Sequence, residues 1–425
     1  MVLFNFHILL MLNELIVCSF FLLYFTYISP FLFFTVMASE NWNALPSDVV
    51  VHIFSFMVRT DRARASRTCR SWFEAFQHPL LWQHVEFWFF LPSHERVLTA
   101  VDKFGKYFKS VFVGVNQMLK HNRLNACALL ELLAKIPKRK ITSLEIVFTG
   151  ENPLFYSGQE FIDALCILFS PVQDNVEAPL TSLRHVDLCG ITVPIDDKVL
   201  NILADNHSQL QFLDIQNKII VCKVTPGCIL RLVKKCRSLK DLRLYHCSMS
   251  DDILEALSEE GRTSNIVHLS IMCRREEKFG IDLKEESWEK LRKSVPDMRV
   301  TLGFDHTCPF HVIPVIMKSV IPVRTLKLET FAECHEEVKL AAAYYQDTLT
   351  KLVLRTRNTL QLEEALLEVA RKCCLLRALL VFCVVREGTI AEIFRLHPDM
   401  RERGTYILKS VVEPEPWVVG VEEGD

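Results

Sequence analysis

The chain has 425 residues, 50% of them hydrophobic and 24% charged, enough for two or three average domains. Lys and Arg number 49 against 51 Asp and Glu, so no basic excess is available to hold a nucleic-acid backbone. With 13 Gly and 17 Pro, the collagenous and the Gly/Pro-rich disordered classes are also excluded.

The first element is apolar. Residues 1–36 hold eight of the 29 Phe and a single charge, Glu14. The mean hydropathy is +0.19 for the chain but only about +0.04 once these residues are set aside. Residues 15–36 are 22 uncharged residues in a row, long enough to span a bilayer, with Pro30 as a kink. No Lys or Arg precedes them, so the basic start of a signal peptide is missing; the first basic residue is Arg59. The segment reads as a membrane anchor, as a hydrophobic targeting stretch, or as sequence upstream of a start at Met37. An anchor would leave the body in the cytosol by the positive-inside rule, and a start at Met37 would leave it cytoplasmic or nuclear. A membrane is expected to be met only through residues 15–36.

Residues 42–86 read as a small unit of three helices. Pro46 suits a first helical turn, where its missing N–H costs nothing, and Asp48 lies near the positive helix start. Val49, Val50, Ile53, Phe54 and Met57 fall on one apolar face. Thr60-Asp61 offers a cap to a second helix, whose basic groups Arg64, Arg67 and Arg70, three apart, are expected on one solvated face. A unit this small needs a further surface to cover its large apolar side chains.

Leu45-Pro46-x-Asp48, Ile53-Phe54-x-Phe56-Met57, Ala65-Ser66-x-x-Cys69-Arg70-x-Trp72 and Leu81-Trp82 follow one another in the order and spacing of the F-box motif, which the unit resembles. The resemblance implies docking on the Skp adaptor of a cullin-RING ubiquitin ligase, carried by Leu45, Pro46, Val49, Ile53, Phe54, Met57, Trp72, Leu81 and Trp82. Met57 stands where the family has Leu and Val58 where it often has Pro. Met is close to Leu in volume, so docking is expected to be weakened at worst.

A repeat follows. The frame apolar-x-x-apolar-x-apolar is centred on residues 111, 144, 186, 213, 242, 269, 298, 326, 352 and 379, and from 186 onward it recurs every 26–29 residues. The early, wider steps leave room for insertions near 150–158 and 171–178. Each frame predicts a short strand with alternate residues inward, and stretches such as Asp251–Leu257 and Glu363–Ala370 predict helices between them. Neither piece buries its face alone; stacked copies do. The fold class is therefore α/β: an N-terminal three-helix unit, then over residues 100–410 a leucine-rich-repeat solenoid with a curved parallel sheet and outer helices. In the cleanest copy, Leu239-x-x-Leu242-x-Leu244-x-x-Cys247, the Cys is expected to be a small buried group closing the turn, with Cys189 and Cys273 similar. The order of the two parts resembles the F-box/leucine-rich-repeat family, substrate receptors of Skp–cullin–F-box ligases. Asp61-Arg62-x-Arg64-Ala65 and Lys103-Phe104-Gly105-Lys106-Tyr107 also resemble an F-box-only member.

Alternation places Asp241, Arg243, Tyr245, His268, Ser270, Asp297, Arg299, Lys327, Lys351 and Arg355 on the concave face, as the expected contacts to a substrate protein. No Gly-rich phosphate loop, Gly-x-Ser-x-Gly or His-Glu-x-x-His occurs. No catalytic residue, cofactor or nucleic-acid partner is expected, and ubiquitin transfer would belong to the partners. The 15 Cys include no CxxC pair and read as reduced core thiols. His306, Cys308 and His311 lack a fourth ligand and read as a loop, so no metal is expected. Residues 411–425 form an acidic tail. The rival expectation is a membrane-anchored scaffold with the same repeats and no ligase role.

Overall fold

Strands that recur once per repeat can pair only in parallel, because each is reached through a helical crossover. The computed structural model describes residues 45–152, 158–171, 183–219, 221–279 and 282–410; residues 15–36 and the acidic tail lie outside these. The described residues fall into two compact units, one of 45–85 with Lys103–Lys109 and one of Glu86–Asp102 with 110–410.

The first unit carries helices α1 (Ser47–Phe56), α2 (Arg59–Ala65) and α3 (Arg70–Phe76), then a 3-10 turn over Pro79–Trp82. Its centre is aromatic. Phe54 meets Trp72 edge-on at 5.5 Å, Phe76 meets Trp82 at 5.2 Å, and Phe104 from the returning segment stacks flat on Trp82 at 3.7 Å. The Trp82 indole N–H donates to the Phe76 carbonyl at 2.8 Å. Two local expectations fail here. Helix α2 starts at Arg59 without a side-chain cap, so Thr60 and Asp61 sit inside its first turn. The helix ends at Ala65, so Arg64, Arg67 and Arg70 do not share a face. Arg62 instead turns inward and donates to the carbonyls of Met57 at 3.0 Å and Leu81 at 3.1 Å, tying the helices together.

The sheet has twelve strands in sequence order: β1 His84–Phe89, β2 Ser110–Asn116, β3 Ser143–Thr149, β4 His185–Gly190, β5 Phe212–Asp214, β6 Asp241–Tyr245, β7 His268–Cys273, β8 Arg299–Phe304, β9 Val323–Leu328, β10 Lys351–Leu354, β11 Ala378–Val384 and β12 Tyr406–Lys409. From β2 onward the strand pairings are all parallel; Leu144, Val186, Leu213, Leu242 and Leu269 pair in one row. They are buried with helix residues such as Leu232, Ile253 and Leu257. Asp196 and Thr225 cap their helices through the N–H groups of Val199 and Cys228.

One frame is out of register. Val300, not Met298, pairs with Leu269, and the next pairing shifts by one residue between Val300 and Thr301. Met298, Val300 and Leu302 are all buried, so two overlapping frames satisfy the same pattern and the sequence cannot choose between them. The end strands β1 and β12 extend the array beyond the ten predicted frames.

Glu363, on helix Leu360–Lys372, is the polar tie of the last repeats. Its carboxylate accepts from Asn358 at 3.0 Å, from Arg386 Nε at 2.6 Å and from Thr389 at 2.6 Å. Burial alone would raise its pKa, but these bonds outweigh it and hold the carboxyl down at about 2. A depressed carboxylate contributes stability that is present above pH 4.5 and lost as pH falls toward 2. Glu363→Gln should cost about 2 kcal/mol at pH 7, discounted because Arg386 is largely exposed. Urea unfolding at pH 7 and pH 3 checks it: the gap between wild type and variant should shrink at the lower pH.

Candidate functional site

The first unit presents an apolar stripe. On α1 the spacing of three and seven sets Pro46, Val49 and Phe56 along one side, beside Met57. Pro46 is exposed, Val49 and Met57 are half-buried, and Phe56 is 53% exposed with its ring edge-on to His52 at 4.9 Å. Val58, Phe73 and Leu80 add further exposed apolar groups on this unit. Among the nine expected docking residues, Leu45, Ile53, Phe54, Trp72, Leu81 and Trp82 are buried. They build the unit's core, while Pro46, Val49 and Met57 remain at its surface. Helical periodicity marks the most apolar face of α1, which is the face turned inward, and so passes over Phe56.

On the second unit the sheet turns one face away from the helices. Across this open face Glu145, Asp187, Asp214 and Arg243 stand side by side in register, followed by Ser270 and Thr301. Three adjacent carboxylates repel one another. Asp187 accepts from the Cys189 N–H at 3.0 Å, and Asp214 from the Gln216 N–H at 2.9 Å. Burial, with Asp187 beside it, pushes the Asp214 carboxyl up to about 6; burial and then Asp187 also push Glu145 upward.

The next groups form a hydrogen-bonded bridge. Arg243 donates to Asp241 at 3.0 Å and lies 4.7 Å over the Phe212 ring, which stacks on His185 at 4.0 Å. His268 lies 3.1 Å from Asp241 through Nδ1 and 2.9 Å from the Thr301 hydroxyl through Nε2. Burial alone would raise Asp241, but the bonds from His268 and Arg243 outweigh it and hold its pKa below the usual carboxylate range.

Beyond the bridge the charge reverses. Arg299, Lys327 and Lys351 lie on β8, β9 and β10 and make no ion pair among the described residues. Arg355 is held by Glu329 at 2.9 Å and covers Phe382 at 4.2 Å. The opposite edge is aromatic: Trp88, 38% exposed, stacks on Phe90 at 5.4 Å and leans on Phe112 at 4.8 Å. Gly114 makes room for it, since a Cβ there would sit 2.2 Å from the Trp88 ring.

Several expected face residues lie elsewhere. Tyr245 is buried, its hydroxyl donating to the Asn217 carbonyl and its ring covered by Arg274 at 4.9 Å. Ser270 keeps its place in the row across the face but is buried there. Asp297 precedes β8 in a turn, because the frame there is centred two residues later than its spacing suggests. The apolar frame carries no signal for the acidic row or for Trp88, which stand at positions outside it. Cys247 and Cys189 are only half-buried; in the turn after β6 it is His246 and Ser248 that are buried, the Ser248 hydroxyl donating to the Val224 carbonyl at 2.8 Å.

Asp214 gives the row a pH dependence. Its folded pKa lies above the unfolded value, so the neutral form is the favoured one in the fold. The stability linked to it is present at low pH and lost as pH rises through about 6. Wild type should gain about 1 kcal/mol from this group between pH 7 and pH 5. Asp214→Asn should lack that gain in paired urea titrations.

The F-box-like family pattern matches residues 42–88. The human F-box/LRR-repeat protein 8 is 29% identical over 382 residues, covering 89% of this chain and 98% of the relative. The bovine F-box/LRR-repeat protein 21 is 30% identical over 278 residues, covering 62% of this chain and 60% of the relative. The human F-box only protein 33 is 51% identical over 39 residues, 9% of this chain. Motif, twelve-stranded parallel sheet and relatives agree: residues 42–88 match the F-box-like family, and the chain is similar along 89% of its length to an F-box/LRR-repeat protein.

Proposed function

We propose that the chain is the substrate-recognition subunit of a Skp–cullin–F-box ubiquitin ligase, with residues 42–86 as the docking module and 100–410 as the substrate platform. The observation that carries the first half is the apolar stripe of Pro46, Val49, Phe56 and Met57 on a unit whose motif is that of the F-box. Docking would cover side chains that the unit itself leaves in water. The Skp adaptor and a cullin-RING core are the partners; the chain supplies no catalytic group. Rate would come from raising the substrate's effective concentration beside the charged conjugating enzyme.

The open sheet face is the substrate surface in this reading. Its division into an acidic part (Glu145 and Asp187, with Asp214 buried beside them) and a basic part (Arg299, Lys327, Lys351) fits a protein segment carrying basic groups at one side and acidic groups at the other. Trp88 and Phe112 offer an aromatic anchor beside it. The body is assigned to the cytoplasm or nucleus, where such ligases work. No helix among the described residues is long and apolar enough to cross a membrane; residues 15–36, on which the anchored scaffold rests, lie outside them.

Co-purification tests the role. The full chain should recover the Skp adaptor and cullin in stoichiometric amounts, and the complex should ubiquitinate proteins captured by the sheet. Recovery of neither partner would overturn it.

A further inference from the structure

The repeat brings together groups that are far apart in the sequence. His246 opens the turn after β6, and Cys273 closes β7 one repeat later. Glu277 lies in the 3-10 turn Arg275–Phe279 that follows. All three are buried, at 5%, 0% and 4% exposure. His246 Nδ1 and Glu277 Oε2 are hydrogen-bonded at 2.6 Å. One ligand atom from each residue lies within 4.8 Å of the other two. Beside His246 is a cavity of about 10 Å³, lined also by Trp288, Lys318 and Asp282, room for one water.

Burying a carboxylate is costly unless its charge is matched. The charge of Glu277 can be matched by a proton on His246 or by a bound cation, and the thiol of Cys273 adds nothing to offset it. A divalent cation bound by one thiolate and one carboxylate is neutral overall. The donor set of imidazole nitrogen, sulfur and carboxylate oxygen suits zinc; the thiolate disfavours calcium and magnesium, which take oxygen ligands. Zinc–ligand distances of about 2.0–2.3 Å place tetrahedral ligands about 3.3–3.7 Å apart, so the His246 nitrogen and the Glu277 oxygen, now hydrogen-bonded at 2.6 Å, would part to admit the ion.

We propose that His246, Cys273 and Glu277 form a zinc site that pins the turns after β6 and β7 together, with a water from the adjoining cavity as the fourth ligand. On binding, the Cys273 thiol gives its proton to solvent and the thiolate takes the metal. The imidazole proton moves to the nitrogen that does not ligate, and Glu277 exchanges its hydrogen bond for the metal. This site lies inside the repeat core and does not depend on the substrate-receptor reading.

The test uses the full chain, dialysed free of metal and titrated with Co²⁺ as a spectroscopic probe and with Zn²⁺. One equivalent of Co²⁺ should give intense visible bands of a four-coordinate ion and a sulfur-to-cobalt charge-transfer band, and Zn²⁺ should displace it. Cys273→Ser should remove the charge-transfer band, and His246→Ala should weaken binding by about 100-fold or more. Circular dichroism of the metal-free variants, matching that of the metal-free wild type, shows that they fold. A colourless wild-type titration would overturn the site. So would bands that persist in Cys273→Ser and disappear in Cys222→Ser or Cys247→Ser, since the metal would then lie on the neighbouring half-buried thiols.

Discussion

Replacing Val49 and Phe56 together by Glu is expected to abolish capture of the Skp adaptor, with a loss of at least about 100-fold, or roughly 3 kcal/mol. Both side chains reach the surface of α1, and Phe56 is 53% exposed. The change therefore removes little from the unit's own core of Phe54, Trp72, Phe76 and Trp82. It places two carboxylates in a surface that docking would desolvate, where each would have to be buried unpaired. The helical content and melting temperature should stay near those of wild type. By contrast, Phe54→Ala should cost about 3–5 kcal/mol of stability, because that ring is fully buried. Loss of adaptor binding in Phe54→Ala would report unfolding; loss in Val49→Glu/Phe56→Glu would report the surface.

The second large effect belongs to the repeat. Leu242→Ala should destabilise the array by about 3 kcal/mol. Leu242 is fully buried and lies in register between Leu213 and Leu269. In a stacked array each repeat is stabilised mainly by its neighbours. Hydrogen exchange should therefore accelerate most in β5, β6 and β7 and little in β11. The helical unit has its own aromatic core, so adaptor capture should survive. Uniform acceleration along the whole sheet would show that the repeats do not behave as nearest-neighbour units.

The two parts differ in how far they could be read from the sequence. The parallel sheet was legible because leucines recur at a near-constant step, and nine of the ten predicted frame centres need no correction. The frame at Met298 did, because Met298, Val300 and Leu302 give two apolar frames that only hydrogen-bond pairing separates. Strand β12 was hidden because Arg403 stands where the frame wants an apolar residue. Strand β1 fits the frame, as Trp82-x-x-Val85-x-Phe87, but Trp82 was already taken as the end of the helical motif.

Site residues were harder. A motif shows which side chains are fixed, not whether they face the partner or their own core; hence the buried positions of Ile53, Phe54 and Trp72. Alternation finds the open face but not the bend of a long side chain, which is how Tyr245 comes to lie inside with its hydroxyl on Asn217. The acidic row depends on registers between strands 27 to 42 residues apart, which only the fold supplies.

The most direct test is hydrogen–deuterium exchange of the full chain with and without the Skp adaptor. Docking through the α1 stripe predicts strong added protection over residues 46–57 and none over β3 to β10. A stable complex that leaves residues 46–57 unprotected, or no complex at all at micromolar adaptor, would contradict it.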